Sequence, residues 1–242
     1  MANNPFIVLI SGKSASGKSR SLKNLKNPEK VVYLCTENNK TLPFRSKFQE
    51  KNITSPKEYW EEFKAANASP DCETIITDSL TFLMDMYETQ EVLTSDNTMK
   101  GWSNYAQFLK QVTQRLVAPS TKNIIFTAHT ADQLNEAEMI METMVKVKGS
   151  LMNNGVESFF NIVISTKSLP INKLEAYTVD NDLLEFTNRD KELGYKYVFQ
   201  TRKTKETSGE RMRGPEDLWG DNETFIDNDV QLVLDRLHEY YS

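Results

Sequence analysis

Apolar residues fall into short runs separated by stretches of helical period. Phe6 to Ile10 is a continuous apolar run that breaks at a Gly- and Ser-rich loop, the pattern of a strand buried on both faces. Gly17 to Leu25 has helix-forming sequence and stops at Asn27-Pro28, because the residue before proline is pushed out of helical geometry. Val31 to Thr36 predicts a second strand. Ser55-Pro56-Lys57-Glu58 predicts a helix start, with Ser55 as N-cap, Pro56 at the first position and Glu58 closing a capping box. Glu73 to Thr77 predicts a third strand ending at Asp78, followed by a helix through Leu80, Leu83, Met84 and Tyr87. Residues 89–100 read as an exposed loop. From Gly101, Trp102, Tyr105, Leu109, Val112 and Leu116 recur at helical spacing, which makes those aromatics core. Asn123 to Thr127 is a fourth strand ending at His129. A polar stretch then runs to Lys148-Gly149-Ser150. Phe159 to Ser165 and Tyr195 to Thr201 predict two more strands, and Val230 to Tyr240 a terminal amphipathic helix. Strands alternating with helices predict an α/β fold, a mostly parallel twisted sheet with helices on both faces. Residues 168–193 are polar and turn-rich, with room for a small hairpin insertion.

The length of 242 residues fits one domain, 1–242. Hydrophobic content of 38% and charged content of 26% are those of a globular protein. No apolar run approaches the ~18 residues of a membrane span. Met1-Ala2-Asn3-Asn4-Pro5 lacks the basic start of a signal peptide. Cys35 and Cys72 have neither metal-ligand spacing nor a disulfide framework, so two reduced thiols in the cytoplasm are expected. A nucleic-acid-binding domain is usually basic, so a net charge of -5 argues against one over the whole chain but leaves room for a local basic groove.

The chemistry begins at Gly12-Lys13-Ser14-Ala15-Ser16-Gly17-Lys18-Ser19, a full match to G-x-x-x-x-G-K-[ST]. Chance gives such a match on the order of 1% of the time at average residue frequencies. A strand before the loop and helix-forming sequence after it are the context the motif requires. The glycines let successive N–H groups point at one phosphate. Lys18 reaches the β- and γ-phosphates of ATP, Ser19 offers its hydroxyl to Mg2+, and Arg20 extends the nucleotide site. Asp78, ending the run Thr74-Ile75-Ile76-Thr77, is the carboxylate that completes the Mg2+ site. In many AAA-type ATPases a glutamate follows that aspartate and polarises the attacking water. Here Ser79 follows, so the base comes from elsewhere, and Glu37 at the end of the second strand is the candidate. A GTPase is disfavoured: no glycine lies three residues after Asp78, and Asn-Lys-x-Asp is absent. A small-molecule kinase is disfavoured by the lack of an Arg-rich lid.

The order of these motifs resembles the RecA family: a strand ending in Glu37, a second in Asp78-Ser79-Leu80-Thr81, a long helix from 101, and a strand ending in Thr127-Ala128-His129. Lys148-Gly149-Ser150 and Thr201-Arg202-Lys203-Thr204-Lys205 follow. Asp-Ser-Leu-Thr and Thr-Ala-His are similar to the short, core-only Sak-type recombinases of bacteriophages. The resemblance implies a RecA-like core that binds single-stranded DNA under ATP control, self-associated into a ring or filament. It implies that His129 senses the γ-phosphate and that Lys203 and Lys205 reach a neighbour's ATP. DNA contacts would fall to Lys146, Lys148, Arg211 and Arg213. The two segments in the position of the RecA-type DNA loops, 85–100 and 131–148, are net acidic. The basic cluster is Arg202, Lys203, Lys205, Arg211 and Arg213, opposed locally by Glu206 and Glu210. A RecA-core helicase-like motor and a nucleotide-dependent switch that binds a protein remain as alternatives.

Overall fold

The computed structural model describes residues 4–242. Met1–Asn3, part of the N-terminal segment discussed above, lie outside the described residues. In chain order the elements are β1 (Ile7–Gly12), β2 (Val31–Cys35), β3 (Gln49–Asn52), α1 (Pro56–Ala68), β4 (Thr74–Asp78), α2 (Leu80–Tyr87), α3 (Thr98–Gln111), β5 (Asn123–Asn135) and β6 (Ile140–Val145). There follow α4 (Ser150–Asn154), β7 (Ile162–Pro170), α5 (Ile171–Leu174), α6 (Asn188–Leu193), β8 (Tyr195–Gln200), β9 (Phe225–Asp227) and α7 (Val230–Tyr241).

Strand side chains alternate between faces, and that alternation divides the core. Ile7 and Leu9 of β1 join Val32, Leu34, Ile75, Ile124 and Phe126 beneath the helices α1 to α3. Val8 and Ile10 join Val31, Tyr33, Ile76, Ile125, Leu22 and α7 on the opposite face. The strand order is β3-β2-β4-β5-β1-β7-β8-β9, with β6 beside the far half of β5. Pairing is parallel from β3 to β7 and antiparallel for β7–β8, β8–β9 and β5–β6. This is the mostly parallel α/β sheet, covered on both faces, that the sequence predicts. Register sets the site: Gly12 lies opposite His129 and Cys35 opposite Asp78. The residues after β1, β2, β4 and β5 therefore leave the same carboxyl edge, where open parallel sheets bind ligands.

Several elements differ from expectation. The predicted helix after the Gly-rich loop is a single 3-10 turn, Ser19–Leu22. Leu22 and Leu25 are drawn into the core, and Asn27 turns the chain with a left-handed φ of 49°. The segment is fastened to α7: Asn24 Nδ2 donates to Asp229, Lys26 N to Gln231 Oε1, and Lys26 Nζ pairs with Asp235. The Ser55 cap forms, accepting from Glu58 N at 3.1 Å, but the Glu58 carboxylate reaches Thr54 instead of closing the box on Ser55. Residues 88–92 are not a free loop; they continue α2 as a π-helical turn that buries Val92, and the mostly exposed turn residues 93–97 follow. α3 starts at Thr98, capped by Asn97, ahead of Gly101. The polar stretch after His129 is a β-hairpin, because β5 runs on to Asn135 and β6 returns beside it. Residues 168–193 hold the end of β7 and the short helices α5 and α6 in place of a hairpin. No helix among the described residues is long and apolar enough to cross a membrane.

The hairpin is anchored rather than free. Thr143 N donates to Gly209 O, and Arg211 N donates to Thr143 O at 3.1 Å. Segment 209–211 thus lines β6 as a short extra rung. A Cβ on Gly209 would lie 2.1 Å from Met141 O, so only glycine permits this approach. Gly209→Ala is expected to cost ~1–3 kcal/mol, the scale of forced overpacking. Urea unfolding would measure it, and faster hydrogen exchange at the amides of Thr143 and Arg211 would show that the rung has opened.

Candidate functional site

The Gly-rich loop curls because its backbone adopts geometry that side chains resist. Gly17 has φ +100°, and Ala15 is also left-handed. A Cβ on Gly12 would lie 2.5 Å from Ser16 Oγ and 2.7 Å from Thr166 O. Thr166 Oγ1, on β7, donates to Ser16 O and fixes the far wall of the loop. Ser14 and Ala15 are exposed at the rim, and Arg20 lies over the Tyr197 ring. Lys13 pairs at 2.6 Å with Asp132 on the hairpin.

Lys18 is buried, its Nζ donating to Gly12 O at 3.0 Å and Lys13 O at 2.8 Å. Burial pushes its pKa down to about 8, against the attraction of Asp78 and Glu37. Asp78, 1% exposed, is satisfied by hydroxyls. Ser19 Oγ donates to its Oδ2 at 2.8 Å and Tyr33 OH to the same oxygen at 2.7 Å, while Thr127 Oγ1 donates to Oδ1. Burial and the Asp78 carboxylate hold the Tyr33 phenol far above its ordinary pKa, so Tyr33 stays a donor.

Glu37 follows β2 and is buried beside His129. His129 Nε2 lies 3.2 Å from Glu37 Oε1 and Nδ1 3.4 Å from Lys18 Nζ. A carboxylate only accepts, so Nε2 carries the proton and Nδ1 faces the lysine. Lys40 Nζ is 2.6 Å from Glu37 Oε2. Burial pushes the Glu37 pKa up, but hydrogen bonds from His129 and Lys40 outweigh it and hold the carboxyl at about 2. Lys18, His129, Glu37 and Lys40 form one continuous polar chain along the sheet edge. Thr81 Oγ1 orients His129 by accepting its backbone N–H.

These residues fit a nucleoside triphosphate with Mg2+. Ser16 Oγ is a buried hydroxyl with no partner, turned into a loop whose glycines leave no room for side chains. Ser19 and Asp78 supply hard oxygen donors of the kind Mg2+ takes.

The basic residues sit apart from this chain. Lys203 and Lys205 are exposed on the segment after β8, with Lys203 Nζ donating to Ser208 O. The local sequence around the cluster shows only Glu206 and Glu210, but the fold brings other carboxylates to it. Arg211 pairs with Glu142 at 2.9 Å and lies 3.9 Å from Glu157, and Arg202 pairs with Asp221. Glu210 pairs with Lys167, and Arg213 donates to Ser158 O. Lys148 pairs with Glu88 at 2.6 Å, while Lys146 is exposed and donates its backbone N–H to His129 O. Tyr33, Thr166 and Lys40 escaped the sequence reading, and Thr127 entered it within a motif but with no role of its own. Tyr33 and Thr127 sit inside apolar runs and read as core. Asn38-Asn39 is a turn signal that brings Lys40 back to Glu37.

Glu37 is depressed from an ordinary 4.5 to about 2, so its folded state prefers the ion. The stabilisation is full above about pH 4.5 and is lost as the pH falls toward about 2, on the scale of ~3 kcal/mol. Between about pH 5 and about pH 3 the wild type should lose more stability to urea than Glu37→Gln, which has no proton to gain.

A family model described as an AAA domain matches residues 4–213. No curated protein matches the chain. The match spans the phosphate loop, Glu37, Asp78 and His129, and stops before β9 and α7. Matched over most of its length, and built on a phosphate loop and a mostly parallel α/β sheet, the chain belongs to the AAA domain family and carries a P-loop ATPase-type core.

Proposed function

We propose that this protein hydrolyses ATP with Mg2+ and uses the cycle, as an oligomer, to act on single-stranded DNA in recombination or strand annealing. The observation that carries the hydrolytic part is the polar chain from Lys18 through His129 to Glu37. Lys18 holds the β- and γ-phosphates, and Glu37 takes the proton of the attacking water. His129 touches both and begins the half of β5 that forms the hairpin. Ser19 and Asp78 would hold Mg2+, which neutralises phosphate charge when bound. What supports the DNA part is the order of motifs, Glu37, Asp78-Ser79, His129 and Lys203-Thr204-Lys205, and not the surface charge.

The hairpin favours a second reading. Leu134, Met139 and Met141 are exposed on it beside the acidic Glu136 and Glu138. Phosphate binding wants the opposite charge, whereas a protein partner would cover those apolar side chains. In this reading the same ATP cycle is a switch that presents or withdraws a docking surface.

Lys18→Ala is expected to abolish hydrolysis and weaken ATP binding, whereas Glu37→Gln keeps binding and loses turnover. Because Lys18 titrates at about 8, ATP affinity in the wild type should fall from about pH 7 to about pH 9.5 as the ammonium is lost. Calorimetric titration gives the affinities. Wild-type turnover by Glu37→Gln would remove Glu37 as the base.

Oligo(dT) should raise the ATPase rate of the wild type, and His129→Ala should lose the difference in DNA affinity between the ATP and ADP states. Mixing Lys18→Ala with Lys203→Ala/Lys205→Ala subunits should restore activity if Lys203 and Lys205 complete a neighbour's site. An ATPase rate indifferent to oligo(dT), with no complementation in the mixture, favours the protein-switch reading.

A further inference from the structure

Both oxygens of Glu37 are engaged, one by His129 and the other by Lys40. The carboxylate keeps lone pairs beyond these two, but an ammonium bound to one oxygen lowers its basicity, and a general base works through its basicity. The two partners differ in access. The Glu37 side chain is 6% exposed and that of Lys40 56%, so the ammonium covers a base that is otherwise inside. The backbone is shaped to bring them together. Asn38 and Asn39 both take left-handed φ, 50° and 58°, and Lys40 N donates to Glu37 O at 3.1 Å. Asparagine tolerates that geometry better than other side chains. The asparagines of the turn also border a cleft of about 600 Å³, lined by Asn38, Asn39, Asn52, Phe82, Asp85 and Gln90 among others. The charged and titratable groups around Glu37 are Lys18 on the phosphate loop, His129 on β5, Asp78 on β4, Cys35 on β2 and Lys40 on its own turn.

We propose that Lys40 is a latch on the base: its ion pair keeps Glu37 idle, and an anion arriving at the Asn38–Lys40 turn opens it by drawing the ammonium away. The proposal rests on Glu37 being the base for ATP hydrolysis. The anion class that fits is a phosphodiester backbone. The exposed lysine would exchange the carboxylate for another oxyanion that offers a charge-assisted hydrogen bond, while Glu37 keeps its bond to His129. One such contact suffices to free Oε2, so nucleic acid can stimulate hydrolysis without a broad basic groove. Lys40 is thus a positioning residue, acting on the reaction through Glu37.

The test is single-turnover ATP hydrolysis by the full chain at about pH 8, with and without oligo(dT), for wild type, Lys40→Met and Lys40→Arg. Lys40→Met removes the ammonium and leaves a more basic Glu37. Its basal rate should rise on the order of tenfold, since general-base efficiency follows basicity. It should gain nothing further from oligo(dT). Lys40→Arg keeps an ion pair and should stay slow and responsive. The acid limb of the pH–rate profile should move upward in Lys40→Met, and the faster basal rate with no response to oligo(dT) is the change that a merely structural role for Lys40 would not produce. A basal rate in Lys40→Met at or below the wild type, or an unmoved acid limb, overturns the latch. Glu37→Gln run in parallel separates the two failures. If it hydrolyses ATP at the wild-type rate, the assignment of the base falls and the latch with it; if it is inactive while Lys40→Met is no faster than wild type, the latch alone falls.

Discussion

A carboxylate with almost no contact with water sits at the centre of this molecule. Burying an unpaired ion costs several kcal/mol, so Asp78 is tolerable only if hydrogen bonds replace its hydration. Three hydroxyls do so, and each comes from a different place: Ser19 from the phosphate loop, Tyr33 from β2 and Thr127 from β5. Asp78 itself ends β4. Meeting its needs therefore fixes the register of three neighbouring strands and the position of the loop at once. Lys18 adds an opposite charge nearby, and the attraction of Asp78 and Glu37 resists the loss of its proton.

From that anchor the rest of the edge follows. With β1 and β5 in register, His129 emerges beside Gly12; with β2 beside β4, Glu37 emerges next to them. Lys18, His129 and Glu37 are then neighbours without any direct tie to Asp78. β5 carries the arrangement outward, since the strand that delivers His129 is also the first strand of the hairpin. Lys13, paired with Asp132, adds a second link between the loop and that hairpin.

The sequence was most informative where chemistry and hydrophobic pattern coincide. β1 and its loop, β4 with Asp78, β5 up to His129 and the Ser55 cap are each written in consecutive residues. β3 was not visible: Gln49-Glu50-Lys51-Asn52 is wholly exposed and polar, and joins the sheet by pairing with β2. The hairpin was not visible either. Its far strand alternates weakly, and what holds it is a glycine more than sixty residues later in the chain. The basic cluster misled for a related reason. Counting charges along the chain found only Glu206 and Glu210, while the carboxylates that meet Arg202 and Arg211 come from distant segments. Glu37 was readable as a strand-end carboxylate. Its lysine partner needed the turn geometry of two asparagines.

The single 3-10 turn behind the phosphate loop places an unusual demand on the order of folding. A long helix would brace the loop by its own internal hydrogen bonds. Here the segment from Asn24 to Lys26 is braced by Asp229, Gln231 and Asp235, at and within the first turns of α7, and Leu22 and Leu25 pack in the core that α7 closes. A chain emerging from the ribosome makes the phosphate loop early and α7 late. Until α7 docks, the loop has its ties to Asp78 and Thr166 but the segment behind it has no brace, so an element made late completes the support of one made early.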